Sequence, residues 1–229
     1  MSNGKNALYE DLKREILTME LDPGEVLDEV ILCERYGLSR TRVREIFRRL
    51  AGEGYVNVQE NRGVRVVPMN HSMLRNFFQV APMIYAAIGR LAVHNFKQRQ
   101  LIELKETQHR FRNAMVARDP TAMVVENNRF HAVMGEMAAN QYLLPSLERL
   151  LIDHARIGHT VYRPHNEEME KHLQLSVDQH DLFIEAIERR DEEAVVALVY
   201  AHWEPSREKM EMYITPEGMK ADGLLIIPA

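Results

Sequence analysis

The stretch Gly37-Leu38-Ser39-Arg40-Thr41-Arg42-Val43-Arg44-Glu45-Ile46-Phe47-Arg48-Arg49-Leu50 decides how the rest of the chain is read. Val43, Ile46, Phe47 and Leu50 recur at helical spacing and make one apolar stripe. Ser39 or Thr41 stands where a hydroxyl can cap the helix by accepting the orphan N–H groups of its first turn. Arg40, Arg42, Arg44, Arg48 and Arg49 fall mostly off the stripe, the first three near the helix N-terminus. A helix with a buried back and a polar, cationic leading end suits insertion into a DNA major groove. An isolated arginine run is more often a solvated face, so the flanking segments must decide.

Upstream, Asp28 to Tyr36 forms a short helix ended by Gly37, and two helices joined by a tight glycine turn make a helix-turn-helix. Downstream, residues 54–59 and 64–67 alternate as two short strands around the tip Glu60-Asn61-Arg62-Gly63. Helix-turn-helix followed by a hairpin is a winged helix, with Arg62, Gly63 and Arg65 brought near phosphate or the minor groove. Ahead of it, residues 6–20 form an amphipathic helix closed by Leu21-Asp22-Pro23-Gly24, and Val26-Leu27 make an extended link.

The net charge of −5 argues at first against a nucleic-acid partner, but its distribution reverses that reading. Residues 35–65 hold eight arginines against three glutamates, a net of +5, which leaves −10 on the remainder. A basic patch on an acidic body allows local phosphate binding and limits nonspecific adhesion. The chain has no apolar run long enough to span a bilayer, and residues 1–6 lack the apolar core of a signal peptide. One cysteine, Cys33, excludes an internal disulfide framework, and together these features point to a cytoplasmic protein.

From Ser72 onward the pattern is helical, with helices expected at 72–96, 98–117, 120–138, 141–160, 167–189 and 191–213. The expected fold is therefore mainly α: a winged helix-turn-helix with a small hairpin wing over residues 1–69, then an antiparallel helical bundle over 72–214. Residues 215–229 read as a tail. Its apolar run Leu224-Leu225-Ile226-Ile227 is expected to dock on the bundle or on a second subunit.

Ten histidines is a high count, and three hold suggestive positions. Asn127 and His131 lie one helical turn apart, while His180 and His202 sit in later apolar-periodic helices. Imidazoles converging from several helices can build a transition-metal site, but a histidine on an apolar face is more commonly a hydrogen-bonded core residue. Spacing alone leaves both open. His94, His154, His159, His165 and His172 show no convergent spacing and read as surface or packing residues.

Residues 7–68 resemble the N-terminal domain of the GntR family of bacterial transcription regulators. The resemblance rests on Leu8-Tyr9, Leu21-Asp22-Pro23-Gly24, Leu38 through Glu45, Arg49-Leu50, Glu53-Gly54 and Arg62-Gly63-Val64. Val30 and Ile31 depart from it, standing in the helix where many relatives carry an arginine that reaches the operator. Residues 75–213 are similar to the FCD domain of the FadR subfamily, through Asn127 with Phe130-His131, Gln179-His180, Arg190-Asp191 and His202. The resemblance implies DNA contacts from Ser39, Arg40, Thr41, Arg42, Arg44, Arg48, Arg62 and Gly63. It also implies a divalent metal held by Asn127, His131, His180 and His202. Three imidazoles and an oxygen suit Zn²⁺ or Ni²⁺ best.

Where many relatives carry an arginine and then a glutamate to meet an effector, this chain has Ala81 and Tyr85. That leaves Tyr85, Arg90, Arg129 and Arg156 as the effector-site candidates. The function implied is a ligand-responsive repressor that binds a palindromic operator as a homodimer and answers to a small carboxylate. Two other readings stay open at the level of sequence. One is a metal-dependent enzyme using the three histidines; the other is a constitutive DNA-binding protein with a structural metal.

Overall fold

The computed structural model describes residues 2–59 and 63–208. The N-terminal part begins with α1 (Ser2–Leu17), which buries Leu8, Leu12 and Ile16. It stops short of the expected residue 20 because Met19 turns left-handed at φ 57°. Strand β1 (Val26–Leu27) leads into α2 (Glu29–Tyr36). The Asp28 carboxylate caps α2 by accepting from the Val30 and Ile31 amides, and Gly37, left-handed at φ 63°, ends it. Helix α3 (Arg40–Glu53) follows at once and buries Val43, Ile46, Phe47 and Leu50, the stripe seen in the sequence.

Gly54 ends α3 at φ 90°, a backbone state that a side chain strains. Strands β2 (Val56–Gln59) and β3 (Gly63–Val66) form the wing, paired antiparallel with Val58 opposite Val64. The stretch expected as a mere link, Val26-Leu27, is a third strand, giving the order β1-β3-β2. The alternation of so short a segment carries no signal of its own; β3 supplies the hydrogen bonds that make it a strand.

The bundle consists of α4 (His71–Asn95), α5 (Gln98–Val116), α6 (Pro120–Ala138), α7 (Leu143–Val161), α8 (Glu167–Glu188) and α9 (Glu192–Glu208). Side-chain caps from Asn70, Asp119 and Asn166 fix the starts of α4, α6 and α8. Long α4 packs against α6, α7 and α9 and so forms the middle of the bundle. Helices α6 and α7 approach closely at Gly135, where an added Cβ would stand 2.4 Å from Leu147 Cδ2.

One apolar core lies within the bundle around Leu74, Ile88, Phe130 and Phe183. A second runs without a break from the winged helix, through Leu12 and Phe47, into the bundle at Phe111, Ile152 and Tyr162. No helix among the described residues is long and apolar enough to cross a membrane. The expected tail over 215–229 and the last residues expected of the final helix lie outside the described residues, as does Arg62.

Candidate functional site

Among the described residues, two places gather the candidate functional side chains: the outer face of α3 and a cluster of imidazoles inside the bundle. On α3, Arg40, Thr41, Arg42, Arg44 and Arg48 are all exposed. Ser39 takes the N-cap position with extended backbone, and its carbonyl accepts from the Val43 amide at 3.1 Å. Its hydroxyl makes no capping bond, and Thr41 lies inside the helix, so neither performs the hydroxyl capping expected of it. Both side chains are exposed instead.

Glu29 at the start of α2 receives Arg44 as a fork, from Nε at 2.6 Å and from Nη2 at 3.2 Å. Arg40 Nε stands 3.7 Å from the same carboxylate. No ion pair holds Arg42 or Arg48 among the described residues. Arg49 turns the other way, over the Tyr9 ring at 3.7 Å and against Glu53 at 3.0 Å, and so braces α1. Arg65 also serves the fold rather than the surface, donating to the Gly24 carbonyl at 3.1 Å. Between α3 and the wing runs a groove of about 330 Å³ lined by Arg44, Arg48, Val58 and Gly63.

Inside the bundle, His131 on α6, His154 on α7, His180 on α8 and His202 on α9 converge. The ring of His131 lies 4.5 Å from that of His154, 5.3 Å from His180 and 5.6 Å from His202, centroid to centroid. His131, His154 and His202 each offer a ring nitrogen within 4.8 Å of the others. Neighbouring side chains fix the rings. The Gln108 Oε1 accepts from His180 Nδ1 at 3.1 Å, and Gln179 Oε1 accepts from His202 Nδ1 at 2.8 Å. An amide oxygen can only accept, so both imidazoles carry their proton on Nδ1 and leave Nε2 with a lone pair. Gln108 is oriented in turn by donating to the Val177 carbonyl at 2.8 Å. Phe130 stacks flat on His180 at 4.0 Å, and the Tyr85 hydroxyl meets His154 Nδ1 at 2.8 Å.

Burial pushes His131, His154 and His180 well below the ordinary histidine range, and brings His202 down to about 4. Proximity of the other imidazoles adds to the effect at the first three. All four are therefore neutral at pH 7, as metal coordination requires.

Among the described residues, the buried polar atoms without a partner include both ring nitrogens of His131, Nε2 of His180 and the amide nitrogen of Asn127, besides one nitrogen each of Arg149 and Arg156. Unpaired buried polar atoms are rare in folded proteins and cluster where a ligand completes them. The donor set suits a borderline-soft divalent ion. Two nitrogens bound to one Zn²⁺ stand roughly 3.3 Å apart, so the spread among His131, His154 and His202 needs closing by at most ~1.5 Å, and His180 lies outside that close trio. Exchanging the two ends of the Asn127 amide would present an oxygen where the unpaired nitrogen stands.

Of the four effector-site candidates, only Tyr85 joins this cluster. Arg90 pairs at the surface with Glu192 at 3.3 Å. Arg129 is taken up by Glu103 and by Glu136, the latter at 2.6 Å. Arg156 is fully buried but serves the winged helix, donating to the Val67 carbonyl at 2.7 Å and pairing with Asp153. Each has its acceptors away from the imidazoles, which is why none of the three reaches them. His154 is the member that sequence reasoning missed. Its signal was its place on the buried face of its helix, spaced with Leu147, Leu151 and Gly158.

A model of the GntR family of bacterial regulatory proteins matches residues 5–66, and a model of the FCD domain matches residues 77–205. The chain belongs to the GntR family, with an FCD domain. Its similarity to curated HTH-type transcriptional regulators spans most of its length. It is 25% identical over 198 residues to the HTH-type transcriptional repressor RspR of Escherichia coli K12, covering 85% of this chain and 83% of that protein. It is 24% identical over 184 residues to the regulator McbR of the same organism, covering 80% and 81%. The solved structure of E. coli McbR/YncC superposes with a TM-score of 0.75 at 21% identity, covering 92% of this chain and 96% of that one. A GntR regulator from Rhodococcus sp. RHA1 superposes at 0.69 and 18% identity, covering 92% and 98%. The family is one of bacterial regulatory proteins and the curated relatives named are transcriptional regulators, which sets aside the metal-dependent enzyme reading.

Proposed function

We propose that the protein is a cytoplasmic, ligand-responsive repressor of the FadR subfamily that binds a palindromic operator as a homodimer. The observation that carries the effector half of this reading is the set of buried imidazole nitrogens without partners. Asn127, His131, His180 and His202 would hold a divalent transition metal, Zn²⁺ or Ni²⁺. When bound, that ion supplies a cationic Lewis-acid centre able to anchor a small carboxylate. The chain's own residues do the rest: Gln108 and Gln179 fix the tautomers, and Phe130 holds the His180 ring. Tyr85 borders the same space.

On the DNA side, Ser39, Arg40, Thr41, Arg42, Arg44 and Arg48 form the proposed reading face, with Gly63 on the wing; Arg62, expected beside it from the sequence, completes the set. Two reading helices must reach half-sites about one turn of DNA apart, and a two-fold dimer supplies that spacing. Effector binding regulates DNA only if the two arrangements of the dimer bind the effector with different affinity.

The test is elemental analysis of purified wild type and His180→Ala, joined to gel shifts on a selected operator with a panel of small carboxylates. About one equivalent of metal in wild type, absent from the variant, with one carboxylate releasing DNA, is the expected result. Metal-free protein even after reconstitution sinks the metal site and returns the histidines to core packing. A second reading, a purely structural metal, draws support from His154, because a fourth imidazole could close the coordination shell. It predicts operator affinity indifferent to every carboxylate.

A further inference from the structure

We infer that His154 is itself a metal ligand, delivered by α7, and that α7 carries the state of the imidazole cluster to both ends of the wing. The inference rests on the metal reading above and extends it to regulation.

Helix α7 has two working faces. Leu147, Leu151, His154 and Gly158 are spaced four, three and four residues apart and look into the bundle, where Leu147 and Leu151 join its core. One of the His154 nitrogens lies within 4.8 Å of those of His131 and His202. The Tyr85 hydroxyl occupies Nδ1 at 2.8 Å, which leaves Nε2 for an ion. The ring is wedged beside Trp203 at 4.5 Å and His131 at 4.5 Å, so it has little room to reorient alone. A pull on it is passed to the helix.

The other face of α7 meets the winged helix at two points. Arg156, with no exposed surface, donates to the carbonyls of Val67 at 2.7 Å and Pro68 at 3.3 Å, just past the end of β3. Val67 in turn donates its amide to Tyr55 at 3.0 Å. Arg149 lies against Gly54, the residue that ends α3, so closely that an added Cβ there would stand 2.5 Å from its Cδ. The chain therefore enters and leaves the wing against α7, at residues that flank His154 by five positions on one side and two on the other. A helix is stiff over such a distance, about 10 Å. Drawing His154 toward an ion shifts Arg149 and Arg156, and with them Gly54 and Val67.

The experiment uses the full chain, with Zn²⁺ as the probe and a chelator as its reference. Zinc affinity is read from the fluorescence of Trp203, the chain's one tryptophan, which touches His154. Wing placement is read from amide hydrogen exchange across residues 54–68. His154→Ala should weaken zinc binding about tenfold or more, and zinc should change wild-type exchange across that segment about threefold or more. Arg149→Ala should keep zinc affinity and lose much of that exchange response. If His154→Ala is unfolded by circular dichroism, His154→Gln replaces it, and Arg149→Ala still tests the coupling. Zinc bound equally by the His154 variant, or bound by wild type with unchanged exchange, overturns this inference and leaves the metal site standing. No zinc bound by wild type overturns the metal site itself.

Discussion

Replacing His131 with leucine should stabilise the chelated protein while abolishing metal binding. His131 is 2% exposed, and neither ring nitrogen has a hydrogen-bond partner among the described residues. Leaving a buried polar group unsatisfied costs ~1–3 kcal/mol, toward the lower figure where a trapped water serves one nitrogen. Leucine has similar volume and no polar atoms, and such swaps cost under ~1.5 kcal/mol in imperfect fit. The balance is a gain of about 1 kcal/mol, which for a chain of this size raises Tm by ~2–4 °C.

Wild type with zinc at a hundred times its dissociation constant should gain ~2.7 kcal/mol, and the variant nothing. Thermal unfolding followed by circular dichroism at pH 7.5, with chelator and with zinc, should therefore give a fixed ranking. Zinc-loaded wild type melts highest, the variant lies between, and chelated wild type melts lowest. A chelated variant that melts several degrees below chelated wild type would refute the reasoning, because His131 would then be a satisfied core residue whose packing leucine spoils.

Further outcomes follow from the same geometry. Arg42→Ala and Arg48→Ala should each weaken operator binding and lower the slope of log affinity against log salt by about 1; filter binding over a salt series checks this, and an unchanged slope removes the residue from the phosphate contacts. Chelated protein should lose stability as pH falls from about 6.5 toward 4. The buried histidines have folded values below the ordinary one, so the unfolded chain takes up protons first, by up to ~1.4 kcal/mol per pH unit per group. His202, brought down to about 4, contributes its share of that loss between 6.5 and 4. Urea midpoints that stay flat between pH 7 and 5 would contradict it.

Much of the fold was legible because local patterns and tertiary demands agree. Val43, Ile46, Phe47 and Leu50 form a helical stripe in the sequence and a buried stripe in α3. Pro120 opens α6 where a helix tolerates proline, and Gly37 and Gly54 close α2 and α3 in left-handed turns. Convergence in space was not legible. His154 lies 23 residues after His131 and 26 before His180, separations without meaning until α6, α7 and α8 pack.

Arg156 was harder still. An arginine normally reads as solvated, and its burial depends on carbonyls 88 and 89 residues earlier in the chain. Those carbonyls belong to the junction between the two parts, where β3 has ended and α4 has not begun, so only an imported donor can satisfy them. Val26-Leu27 became a strand for a similar reason, since its partner is 39 residues or so away along the chain.

The fork between Glu29 and Arg44 gives the proposed reading face a resident rival for DNA. The carboxylate holds the guanidinium in the planar, two-point manner in which a guanine edge would hold it. A nucleic acid that takes Arg44 must first evict Glu29, and a passing phosphate replaces one anion with another for little advantage. A guanine edge in register offers the same two acceptors away from bulk water, at the floor of the groove. If α3 reads an operator as proposed, Glu29 acts as a filter that discounts random encounters more than correct ones, and sequence discrimination begins inside the protein.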